Sequence, residues 1–157
     1  MKLHYCCAGL IAPAVTLALF VAPAQAKTHY EGTLVVIATA GTCADYDPIG
    51  ERLLVRFQPA GVGGNPTSTG FTFMWGNGGY GATVAGPITS KYKTAVLTTL
   101  FDYGDSTGST QIRFTSQKPA TIATTTPWVE ATGNITDFDG MPGCTVTFHL
   151  AALLRLN

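Results

Sequence analysis

Along most of the chain, apolar and polar residues alternate one by one, which sets successive side chains on opposite faces of an extended backbone. The clearest run is the last. Cys144, Val146, Phe148, Leu150, Ala152 and Leu154 form one set, and Thr145, Thr147, His149, Ala151 and Arg155 the other. Glu51 to Gln58 repeats the pattern, with Leu53, Val55 and Phe57 against Arg52, Arg56 and Gln58. In Thr110 to Ser116, Ile112 and Phe114 oppose Gln111 and Arg113. In Trp128 to Phe138, Val129, Ala131 and Ile135 oppose Glu130, Thr132 and Asn134. Tyr30 to Ala40 is rich in β-branched residues, and Phe71 to Trp75 puts three aromatics on one face. Thr94 to Tyr103 reads as a long strand and Ala82 to Ala85 as a short one.

Turn chemistry separates these runs: Ala44 to Gly50, Pro59 to Gly70, the glycine-rich Gly76 to Gly81, Gly104 to Gly108, and Asp137 to Gly143. Thr121 to Thr126 fits either strand or loop. No window holds a 3.6-residue period. Eight strands, or nine with the threonine tract, predict an all-β domain, either barrel or sandwich.

The cysteines favour the barrel. Cys43 follows the first strand and Cys144 opens the last. A bridge between them sets those strands side by side and antiparallel, closing a meander into a β-barrel of about eight strands without exposed edges. A β-sandwich with a disulfide between its sheets is the alternative. The bridge closes a loop of about 100 residues, for which the chain-entropy model gives roughly 4–5 kcal/mol.

Residues 1–26 stand apart from this pattern. Lys2, the apolar run Ala8 to Val21 and Ala24-Gln25-Ala26 have the form of a secretory signal peptide, leaving one domain from Lys27 to Asn157. Removing it takes away Cys6 and Cys7, and leaves no transmembrane helix in the mature chain. The remaining cysteine pair then suits the periplasm or the extracellular space, where disulfides persist. The chain has 9 basic and 9 acidic side chains, of which only Lys2 falls in the leader, so the mature charge is near −1. A near-neutral domain has no electrostatic footprint for nucleic acid.

Motifs that resemble catalytic signatures are accounted for by turns. Gly76-Asn77-Gly78-Gly79-Tyr80-Gly81 spells G-x-G-x-x-G but opens no helical pattern. Gly104-Asp105-Ser106-Thr107-Gly108 spells G-x-S-x-G but joins two strands. His29 and His149 are the only bases of their kind in the mature chain, one near the terminus and one on a polar strand face. Asp45 and Asp47 follow Cys43, and Asp137 and Asp139 precede Cys144, so a disulfide gathers four carboxylates at one end. Such a cluster could hold Ca²⁺ or serve a hydrolase, and aspartate is equally a turn residue. No other cofactor is implied. Asn134-Ile135-Thr136 matches the glycosylation sequon.

Phe71, Phe73, Trp75, Tyr103 and Trp128 are candidate walls of a ligand cup, with Gly32, Ala38, Ala131, Gly133 and Ala152 as small inward residues that leave room. The inferred architecture resembles the lipocalin and avidin barrels, although Gly32-Thr33-Leu34 stands where a lipocalin carries Gly-x-Trp. The expectation is an exported, non-enzymatic β-barrel binding a small apolar ligand or a protein partner. A small outer-membrane β-barrel is the alternative, as is a hydrolase or Ca²⁺-binding protein using the aspartates.

Overall fold

In the computed structural model the described residues are 27–43, 47–76, 78–88, 94–96, 98–102 and 110–155. The proposed leader, Asp45, Tyr103 and the G-x-S-x-G run lie outside them. Nine strands follow one another: β1 (His29–Gly41), β2 (Arg52–Gln58), β3 (Ser68–Trp75), β4 (Gly78–Ala85), β5 (Thr94–Val96), β6 (Thr98–Asp102), β7 (Gln111–Lys118), β8 (Trp128–Thr136) and β9 (Cys144–Arg155). A single 3₁₀ turn, Phe138–Gly140, interrupts them among the described residues.

All nine strands belong to one antiparallel sheet with the order β5-β7-β8-β9-β1-β2-β3-β4-β6. The first and last strands are central neighbours, paired from His29↔Arg155 to Gly41↔Cys144. The two ends of that order, β5 and β6, are separated in the chain by position 97 alone. β6 pairs with β4 and β5 with β7. β5 and β6 thus both fall within the long strand expected over Thr94 to Tyr103, one at each margin of the sheet. The sheet curls until opposite walls meet: the Phe71 ring of β3 lies 5.3 Å from the Phe114 ring of β7, edge to face. The fold is one curled antiparallel barrel sheet, not two packed sheets, and the sandwich alternative is set aside.

Burial follows the alternation. Cys144, Val146, Phe148, Leu150 and Ala152 are buried along β9, as are Leu53, Val55 and Phe57 along β2 and Val129, Ala131 and Ile135 along β8. The inward side holds the apolar core, and the exposed set includes Glu31, Arg52, Arg56, Arg113 and Arg155. Five rings fix much of the interior, with Phe114 packed edge-on against Phe148 at 5.7 Å and Tyr30 beside Phe57 at 5.9 Å.

The disulfide forms as expected. Cys43 and Cys144 are bonded, with their Cα atoms 4.7 Å apart and a sequence separation of 101. Beside it, Thr42 N–H donates to the Gly143 carbonyl at 3.3 Å and the Thr42 hydroxyl to that of Pro142. Gly41 adopts a φ of +77°, and a β-carbon there would stand 2.0 Å from the Gly143 oxygen. Only glycine allows the two chain segments to approach this closely.

Two local expectations are corrected and one open reading is settled. The segment Gly76 to Gly81 is not all turn, because β4 begins at Gly78 and pairs with β3 from Trp75↔Gly78 onward. Partner strands supply the hydrogen bonds that glycine's weak strand propensity does not predict. Ala38 is exposed rather than inward. A bulge between Val36 and Ala38 inserts one residue against β9 and reverses the parity of the strand beyond it. Thr121 to Thr126 is no strand, but part of a loop held by Thr126 N–H to the Ala123 carbonyl.

Candidate ligand-binding site

The small inward residues do not leave an open cup. Gly133 pairs with Phe114 on one side and Phe148 on the other, and the two rings meet over it. Gly32 sits where a β-carbon would meet the Ala151 carbonyl oxygen at 2.0 Å, so its smallness serves the close approach of β9. Ala131 and Ala152 are buried in the core.

The candidate aromatic residues separate. Phe71 and Phe73 are buried together, ring centroids 5.6 Å apart, as part of the packed interior. Trp75 lies at the end of β3 and packs on Tyr80 at 5.0 Å. Trp128 is 43% exposed and faces outward, opposite in parity to Val129. It does not line the interior, and the alternation of β8 already implied as much.

The aspartates do turn work where they are described. Asp47 Oδ1 accepts from Ile49 N–H at 3.1 Å, the short side chain closing its own turn. Asp137 Oδ1 accepts from Gly143 N–H at 2.8 Å, and the Asp137 carbonyl accepts from the buried Thr110 hydroxyl. Asp137 and Asp139 both hold left-handed φ values, 51° and 53°, which Asp tolerates better than most residues. Among the described residues, no three His, Cys, Asp or Glu side chains group as metal ligands. His29 is buried, with Nε2 3.4 Å from Glu31 Oε1, and Arg155 Nε lies 3.4 Å from the other oxygen of that carboxylate. His149 lies on the outward face of β9, level with Thr132 and Val35.

Of the concave features among the described residues, the one with core side chains in its wall lies at the other end of the barrel from the disulfide, where Phe57 of β2 meets residues of several loops. A cleft of about 230 Å³ is lined by Phe57, Val62, Pro87, Ile88, Gln117 and Ile122, among others. Phe57, Ile88 and Gln117 also line a narrow gap of about 10 Å³ beyond it, which ends on Phe114, Ala131 and Leu150 of the core. Ile88, only 5% exposed, therefore stands between the cleft and the barrel interior.

Buried hydrogen bonds hold the cleft walls. The Thr69 hydroxyl, wholly buried, accepts from Ala60 N–H at 3.1 Å and donates to the Gly86 carbonyl at 2.9 Å. Asn65 Nδ2 donates to the carbonyls of Thr28 and Pro59 at 2.6 and 2.9 Å. The Tyr30 hydroxyl donates to the Thr126 carbonyl at 3.0 Å, tying the loop after β7 to the barrel, and burial pushes its pKa above the ordinary 10.0. The available signal for this site was Val62 and Ile122, isolated apolar residues in otherwise polar loops.

The fold and site define a disulfide-stapled, single-sheet antiparallel β-barrel with an apolar cleft at one end. Comparison with protein-family models, with curated proteins and with solved structures finds no match to this chain. Among the described residues no helix is long and apolar enough to cross a membrane.

Proposed function

We propose that this chain is an exported, non-enzymatic β-barrel module that binds a small apolar ligand in the cleft bounded by Phe57, Ile88 and Ile122. The observation that carries this reading is that the core side chains Phe57 and Ile88 form part of the cleft wall, so the cleft rests on the hydrophobic core. Concave, mostly apolar space with a few placed polar groups is the usual form of a small-molecule site. The described residues lining the cleft itself carry no titratable side chain, and Glu130 enters the lining only at the narrow gap beneath it. The disulfide suits an oxidising compartment, which agrees with the proposed leader.

The distribution of side chains favours this reading over a bilayer-spanning barrel. Such barrels turn an apolar band outward and a polar face inward. Here the inward face is apolar, and Arg52, Arg56 and Arg113 are exposed on the strands.

The test is titration with a neutral environment-sensitive dye, followed by fluorescence. Saturable binding at one site per chain is expected, and it should be lost in Ile122→Asp, whose circular dichroism should match the parent. Absence of saturable binding, or binding indifferent to that substitution, sinks the proposal.

A further inference from the structure

Two polar side chains, Gln117 and the exposed Thr121, are among the described residues lining the cleft, and hydrogen bonds to two carbonyls orient the Gln117 amide. Gln117 Nε2 lies 3.0 Å from the Pro119 carbonyl and 3.4 Å from that of Ala120. Both partners are acceptors, so the NH₂ end of the amide must face them, which fixes its flip. The Gln117 side-chain oxygen is thereby committed to the other direction, and none of the described residues donates to it. Gln117 lines both the cleft and the gap beneath it. No charged side chain is among the described residues lining the cleft.

We infer that the cleft takes a neutral, single-ring molecule bearing one hydrogen-bond donor, with Gln117 Oε1 as the acceptor that determines specificity. This rests on the ligand-binding reading above. The volume supports the ring size: a dry cavity of about 150 Å³ lined by Leu, Ile and Phe accommodates benzene, and this cleft offers about 230 Å³. The oriented amide oxygen supports the donor. A ligand that covers Gln117 Oε1 without donating to it strands a polar atom away from water, whereas a hydroxyl satisfies both partners. Among the described lining residues an anion would meet no cation, and it would lose its hydration.

Calorimetric titration of the unmodified protein with phenol, anisole, toluene and benzoate tests this. Phenol should bind at least as tightly as toluene and severalfold more tightly than anisole, which has the oxygen but no donor. Benzoate should bind more weakly than phenol. In Gln117→Met, which keeps length and volume, affinity for phenol relative to toluene should fall about tenfold. An unchanged phenol-to-toluene ratio in that variant overturns the inference. So does anisole matching phenol in the parent, a comparison that needs no variant to fold. If none of the four binds, the ligand-binding reading itself fails. If toluene binds and phenol has no advantage over anisole, that reading stands and only the role of Gln117 falls.

Discussion

Gly133 lies beneath the ring of Phe148, and a β-carbon at Gly133 would stand 2.6 Å from Phe148 Cζ and 2.3 Å from the Arg113 carbonyl oxygen. The glycine is what lets the Phe114 and Phe148 rings meet across β8 at 5.7 Å. Gly133→Ala should therefore destabilise the fold by about 1–3 kcal/mol, the usual cost of overpacking. Urea denaturation followed by circular dichroism measures it. Adding Phe148→Leu should restore only part of the loss, because the clash with the Arg113 backbone remains. Full recovery would show that the ring alone sets the requirement.

The disulfide joins the end of β1 to the start of β9. Cys43→Ser with Cys144→Ser should lower stability by about 4–5 kcal/mol if the unfolded chain gains the loop entropy expected for its length. The measurement is chemical denaturation of parent and variant under non-reducing conditions. A loss under about 1 kcal/mol would mean that β1–β9 pairing already restricts the unfolded ensemble.

Tyr30 gives a pH dependence of known sign. Burial raises its pKa above the ordinary 10.0. The folded state then holds the phenol proton more tightly than the unfolded chain does, and this contribution is complete below pH 10. It is lost as pH rises through the elevated folded value. Stability should fall on that alkaline side, along with phenolate absorbance near 295 nm as the readout. Tyr30→Phe should remove this slope. At neutral pH it should cost about 0.5–1.5 kcal/mol for the lost bond to the Thr126 carbonyl.

Asp137 tests what the acidic end of the barrel does. Asp137→Ala removes the acceptor of the Gly143 N–H bond and puts a less tolerant residue at a φ of 51°, so it should cost about 1–2 kcal/mol. Asp137→Asn keeps an acceptor and tolerates that φ, and should cost under about 0.5 kcal/mol. Thermal melts with and without Ca²⁺ should give the same differences. A melting point that rises on adding Ca²⁺ to the parent, and no longer does so in Asp137→Asn, would restore the metal-site reading.

Much of this fold was legible because a strand's side-chain period is two. Alternation fixed the inward sets of β2, β7, β8 and β9 before any contact was known, and the positions of Cys43 and Cys144 implied that β1 and β9 pair. The same parity sets Trp128 on the opposite side from Val129 and Ala131, and the structure follows it rather than the expected place of Trp128 in a cup wall. Only the tertiary structure decided that Gly78 to Gly81 is strand, since glycine there takes its conformation from cross-strand hydrogen bonds rather than from its own preference. The bulge that turns Ala38 outward has no signature in local composition, and it depends on the register against β9. The apolar cleft was hidden for the same reason. Phe57, Val62, Ile88, Gln117 and Ile122 come from three separate stretches, and no spacing along a chain records which loops fold over the same end of a barrel.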